Sequence, residues 1–252
     1  MWLIPTPVGV GASGLQPVSL PANSPTTLPV RTPLTPALLS QFWVRKGGGD
    51  ERARTADLLN ANGWIVAFPQ RRGRGGSDGL YDEDFAEDRL HGYSPKAARS
   101  LLGAERALKD ADAALVALRR RPDVDAGKVL LGGVSRGGVV AIMQAGQNPS
   151  RFSGVINFVG GWVGERRGET EINPTLFRRI GSFDGLVLSI YGEEDEYYSL
   201  VHSKSNLAEM QALGANSQLH VVKLPGYGKG HWAIAVPTLW EGVVSEYLNT
   251  ID

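Results

Sequence analysis

Gly133-Val134-Ser135-Arg136-Gly137 carries the strongest chemical signal in the chain, a G-x-S-x-G pentapeptide between a predicted strand and a predicted helix. Its glycines make room for a turn too tight for bulky flanking side chains, and that turn lifts the serine hydroxyl clear of the backbone. Ser135 then stands at a helix N-terminus, where partial positive charge favours a developing oxyanion and the Arg136 N–H can donate to it. A chain with 32 glycines can also produce this pentapeptide as a plain packing turn; the strand–turn–helix setting favours a nucleophile. A serine nucleophile needs a base, and the base needs an orienting carboxylate. Both follow in order. Glu193-Glu194-Asp195 comes directly after the predicted strand Leu186–Tyr191, and Gly230-His231-Trp232 follows the last predicted strand. His231 is the favoured base. His202 lies at a helix approach beside Ser and Lys, His220 lies inside a predicted strand and His91 follows an acidic loop, so these read as surface or packing histidines. Asp195 is the favoured acid and Glu194 the runner-up, while a simple solvated turn is the competing reading of the whole acidic run.

Composition narrows the other classes. With 252 residues the chain fits one large α/β domain. Twenty-six Lys+Arg balance 26 Asp+Glu, so no global field gathers nucleic acid or an anionic membrane. Cysteine is absent and the four histidines have no zinc-motif spacing, which argues against a disulfide scaffold, a cysteine nucleophile and a metal centre. No apolar run approaches the roughly 18 residues of a membrane span, and the chain reads as a soluble protein. The start, Met1-Trp2-Leu3-Ile4 running into Pro5 and Pro7, does not resemble a signal peptide, which slightly favours the cytoplasm.

The elements that must position the site are legible as an alternation. Candidate strands are Leu39–Val44, Trp64–Phe68, Lys128–Val134, Gly154–Phe158, Leu186–Tyr191 and Gln218–Leu224. Candidate helices lie near Glu51–Ala61, Pro95–Arg121, Arg136–Gln147, Asn173–Ile180, Lys204–Leu213 and Pro237–Asn249. Strands alternating with helices indicate a mostly parallel sheet with helices on both faces. In the second helix Leu101, Leu102, Ala104, Leu108, Ala111, Ala114, Leu115 and Leu118 recur at threes and fours, giving one apolar face. Residues 1–45 read differently: eight of the 15 prolines lie at positions 5 to 36, which forbids a long helix and interrupts sheet ladders. That stretch is expected to be an irregular arm, with the catalytic domain at 46–252.

Longer segments extend the pattern. Phe68-Pro69-Gln70-Arg71-Arg72-Gly73-Arg74-Gly75-Gly76-Ser77-Asp78-Gly79, Asn157-Phe158-Val159-Gly160-Gly161-Trp162, Tyr191-Gly192-Glu193-Glu194-Asp195 and Gly228-Lys229-Gly230-His231 each follow a predicted strand. Together with the elbow they resemble the α/β-hydrolases of the dienelactone-hydrolase-like and prolyl-oligopeptidase-like branch, over about residues 50–252. The chain order Ser…Asp…His is the one that fold uses. The resemblance implies a Ser135–His231–Asp195 triad, no cofactor, and hydrolysis of a carboxylic ester or related acyl bond of a small molecule. It also implies Asp195 over Glu194, because the shorter side chain at that offset fits the usual loop. Dienelactone hydrolases proper use a cysteine nucleophile, so the likeness is to their serine relatives and argues against dienelactone as substrate.

One segment departs from the family pattern. A His-Gly pair usually supplies the second oxyanion donor, whereas the aligned stretch here is Arg45-Lys46-Gly47-Gly48-Gly49. Backbone donors need no particular side chain, so Gly47 or Gly48 is the candidate, against the alternative of a linker ending the arm. Trp162, Tyr197, Tyr198 and Trp232 adjoin the proposed site and read either as pocket lining or as core. Arg71 and Arg72 offer guanidinium forks to a substrate carboxylate or, equally, structural ion pairs with the acidic stretch 81–88. The connection before Leu186 is short, so any lid is small. The rival readings are a ligand-binding scaffold without catalysis and an acyltransferase on the same triad.

Overall fold

A computed structural model describes residues 35–40, 51–73, 77–79, 97–166, 168–225 and 229–251. The arm 1–34, Gly47, Gly48, the acidic stretch 81–88 and His91 lie outside the described residues. Among the described residues six strands form one sheet: β1 Thr35–Ser40, β2 Trp64–Ala67, β3 Leu130–Val134, β4 Gly154–Phe158, β5 Leu186–Gly192 and β6 Ser217–Val222. All five pairings are parallel, in the spatial order β2-β1-β3-β4-β5-β6. Helices connect or follow them: α1 Glu51–Ala61, α2 Ala97–Arg119, α3 Arg136–Gln147, α4 Ile172–Phe177, α5 Leu200–Gln211 and α6 Glu241–Thr250. The chain passes outward from β1 to β2, returns across β1 to β3, and then proceeds the other way. Strand order therefore reverses between β1 and β3, and the crevice at their carboxyl ends is where such sheets bind ligands.

β3 and β4 are buried along their whole length, which is why Leu130-Leu131 and Val155-Ile156 show no polar alternation. The two faces of β4 show how the layers stack. Phe158 meets the ring of Trp240 edge-on at 5.0 Å, and Gly154 lies against the Tyr247 hydroxyl of α6, so even-numbered residues face α6. Asn157 points the opposite way, against Gly138 of α3. Tyr247 donates to the Leu186 carbonyl at 2.8 Å, tying α6 to the start of β5. Among the described residues no helix is long and apolar enough to cross a membrane.

Two expectations change. The first strand, predicted at Leu39–Val44, is described from Thr35 to Ser40, so the sheet reaches back into the stretch read as arm, while 41–44 lie outside the described residues. Pro36 sits inside it despite the lack of an N–H. The β3 ladder begins one residue later, at Ala37, so the proline falls where β1 is flanked on one side only. On α2, Leu102 is exposed, and Leu101 also stands at the surface. The buried stripe is Ser100, Ala104, Ala107, Leu108, Ala111, Leu115 and Leu118, a helical period that leaves position 102 on the far side.

Candidate active site

β3 ends at Val134, and Ser135 continues the ladder for one more hydrogen bond, its N–H donating to the Phe158 carbonyl at 2.9 Å. There the chain turns. Ser135 has φ 55° and ψ −122°, a conformation that L-residues avoid, at a cost of about 1–3 kcal/mol. The same construction repeats across the sheet: the Val159 N–H donates to Ile190 at the end of β4, and the Glu193 N–H donates to Val222 at the end of β5. Val159 (φ 45°) and Glu194 (φ 55°) are the other positive-φ residues besides glycine among the described residues. Backbone strain therefore collects at the carboxyl ends of three neighbouring strands, on the edge that carries the candidate residues.

The elbow rests on a polar support. Asn157 and Ser189 are lateral partners on β4 and β5, and the Asn157 Nδ2 donates to Ser189 Oγ and to the Tyr191 hydroxyl, both at 3.2 Å. Tyr191 in turn donates to the Gly160 carbonyl at 2.8 Å. The Asn157 carboxamide oxygen fills the space where a Cβ on Gly138 or Gly160 would stand, so both positions must be glycine for α3 and the β4 loop to close on it. Complete burial raises the pKa of Tyr191 far above the ordinary phenol value, keeping it a neutral donor. The Gly161 N–H then reaches the carbonyl of Ser135 itself at 3.3 Å.

Asp195 and His231 are brought together by their loops. His231 Nδ1 lies 2.9 Å from Asp195 Oδ2, while Oδ1 accepts the N–H groups of Tyr197 at 2.7 Å and Tyr198 at 3.1 Å. Three partners fix one carboxylate. The loops themselves touch backbone to backbone: a Cβ on Gly192 would collide with Gly230, and a Cβ on Gly230 with Glu193 and Asp195. An antiparallel bridge between Asp195 and Lys229 adds to this contact. Glu194 is exposed on the strained turn, so Asp195 is the residue that meets the imidazole. Tyr198 links the two halves of the site, its ring packed against Gly161 on one side and 5.5 Å from the His231 ring on the other.

The remaining predicted residues divide into buried and accessible. Arg136 is buried, its Nε donating to the Trp162 carbonyl at 3.0 Å and its guanidinium 4.7 Å from the Trp162 ring. Trp162 and Tyr198 are core residues, whereas Tyr197 and Trp232 are half-buried around His231, at ring separations of 4.6 and 6.0 Å. Arg71 is 2% exposed. Arg72 grips Asp110 of α2 through Nε and Nη2, at 2.9 and 2.6 Å, so its fork is occupied by α2. His220 lies in β6, with Nε2 3.3 Å from the Leu239 carbonyl. Among the described residues no three acidic or histidine side chains converge as metal ligands.

Sequence reasoning missed the supporting residues Asn157, Tyr191 and Asn173. A signal existed for the first: an asparagine inside the apolar run Val155-Ile156-Asn157-Phe158, fully buried, has to be hydrogen-bonded.

No curated protein matches the chain in sequence. Solved structures resemble it over most of its length. A predicted CIB-like hydrolase from Thermoplasma acidophilum superimposes with a TM-score of 0.56 at 17% identity, covering 86% of each chain. Est1E from Butyrivibrio proteoclasticus, solved with ferulic acid, gives 0.61 at 13% identity over 91% of this chain and 92% of its own. The esterase Pf2001 from Pyrococcus furiosus gives 0.60 at 14% identity over 87% and 81%. At these identities the likeness establishes the α/β-hydrolase fold. The sequence model of the Dienelactone hydrolase family matches residues 46–228, and with the elbow, the parallel sheet and the carboxylate–imidazole pair at its edge, the chain is a member of that family.

Proposed function

We propose that the protein is a serine hydrolase of small carboxylic esters that works through an acyl-enzyme. The observation carrying this reading is the His231–Asp195 pair at 2.9 Å, with a strained Ser135 as the first residue past β3. Ser135 Oγ attacks the ester carbonyl while His231 Nε2 takes its proton; the tetrahedral intermediate collapses, the alcohol leaves with that proton, and water repeats the cycle to release the acid. Asp195 holds Nδ1–H and stabilises the imidazolium. The Arg136 N–H is one oxyanion donor in this reading, and Gly47 or Gly48 the second. Half-buried Tyr197 and Trp232 offer aromatic faces to the apolar part of the substrate. With no cysteine in the chain, the nucleophile is serine chemistry, unlike that of the enzymes that gave the family its name.

The test is turnover of p-nitrophenyl acetate and butyrate by the wild type beside Ser135→Ala and His231→Ala, with labelling by a serine-directed phosphonate. Both variants are expected to lose nearly all turnover, and Ser135→Ala all labelling. A folded wild type no faster than Ser135→Ala would instead identify a scaffold. Products formed in the presence of added alcohol separate hydrolysis from acyl transfer.

A further inference from the structure

A second histidine lies behind the site. His202, in the first turn of α5, is half-buried, and its Nε2 is 2.9 Å from Asn173 Nδ2. Asn173 is fully buried at the second position of α4, and its carboxamide grips one loop three times. Its Oδ1 accepts the N–H groups of Trp162 at 3.0 Å and Val163 at 2.9 Å, and its Nδ2 donates to the Val163 carbonyl at 2.8 Å. These backbone partners have a fixed sense, because an N–H only donates and a carbonyl only accepts, so the carboxamide cannot be turned over. One Nδ2 hydrogen remains, and it points at His202 Nε2. That nitrogen must therefore be an unprotonated acceptor, with the ring hydrogen on Nδ1.

The clamped loop reaches the proposed nucleophile directly. Gly161 donates to the Ser135 carbonyl, and Trp162 receives the Arg136 guanidinium on both its carbonyl and its ring. We infer that His202 is a positioning residue for the Ser135 elbow, its neutral Nε2 completing an Asn173 clamp on the 161–163 loop that works only while this imidazole is unprotonated. The inference rests on the reading of Ser135 as nucleophile. A proton on Nε2 sets donor against donor. Asn173 cannot yield by rotating, since that would turn its NH2 toward the Trp162 and Val163 N–H groups, so the loop must shift or His202 must swing out.

The surroundings favour the neutral form. Burial lowers the pKa of His202, and the Glu165 carboxylate, held by the Ser199 N–H and hydroxyl, opposes this more weakly. The Tyr198 ring stacks on the imidazole at 6.5 Å and lies 5.5 Å from the His231 ring. On α5 itself Lys204 is exposed, and Glu209 pairs with Arg178 beyond α4.

A clamp that fails when His202 takes a proton steepens the acid limb. In the wild type, log(kcat/KM) for p-nitrophenyl acetate should fall with a slope one greater than in a variant whose residue 202 cannot gain a proton. His202→Gln keeps an oxygen to accept from Asn173 but has no proton to gain. It should retain activity within about threefold above about pH 7.5 and show an acid limb shallower by one. The independent readout is NMR on Ser135→Ala: the Trp162 and Val163 amide resonances should titrate with the His202 imidazole, and should stop doing so when His202→Gln is added. Equal acid slopes in the wild type and His202→Gln, or amides that ignore His202, overturn the inference. If Ser135→Ala keeps its turnover, the nucleophile reading falls, while the amide titration still decides whether the clamp responds to the proton.

Discussion

Asp195 shows how much one side chain's neighbours determine. Because the Tyr197 and Tyr198 N–H groups demand an oxygen on one side of the carboxylate, Asp195→Asn must turn its NH2 toward His231 Nδ1. Nδ1 then becomes an acceptor and the proton moves to Nε2, the nitrogen proposed as base. The expected result is a fall in kcat of about 10⁴ with folding intact, as for the same substitution in serine triads, checked by steady-state kinetics and circular dichroism. At His202 the same kind of reasoning predicts stability. A base whose folded pKa is depressed leaves the unfolded chain holding more protons, so its contribution is complete above the unfolded pKa of about 6.5 and is lost as pH falls from there toward the folded value. Urea unfolding should show His202→Gln losing less stability than the wild type across that window.

At the scale of elements, glycine positions separate contacts that cannot give from sites with open space. Gly230→Ala drives a methyl into the backbone of Glu193 and Asp195, and overpacking against immovable atoms costs about 3 kcal/mol, a fall in Tm of roughly 6–12 °C. Ester turnover should fall with it. Gly242→Ala, in α6 with nothing near the added Cβ, should stabilise by about 0.5–1 kcal/mol. Thermal melts of the two variants side by side test both signs. The legibility of the elements follows the same local logic. Arg136–Gln147 can be read to the residue, because the elbow starts the helix and Asn148-Pro149 stops it. The start of the first strand was missed because Pro36 argues against a strand at Thr35–Ser40, and only the sheet shows where a missing N–H is tolerated. Ser135, Asp195 and His231 are legible as candidates because each follows a predicted strand in a turn or loop that contains glycine. Asn173 and His202 are not, since their partners lie on segments that only the tertiary fold brings together.

For the whole molecule, the balance of 26 positive against 26 negative side chains leaves little long-range field. Encounter with a neutral ester should then be insensitive to salt, with kcat/KM changing by less than about twofold between roughly 0.05 and 0.5 M sodium chloride. A steep dependence would point to a charged substrate group meeting a local patch. The same neutrality near pH 7 makes this the pH of weakest mutual repulsion between copies, and solubility should rise on either side of it. The contact of Gly192 with Gly230, together with the Asp195–Lys229 bridge, has a consequence for anyone transplanting specificity between relatives. Residues 192–198 and 229–232 behave as one cassette: a donor loop inserted without its partner would meet the wrong backbone, whereas the two exchanged together carry their own fit with them.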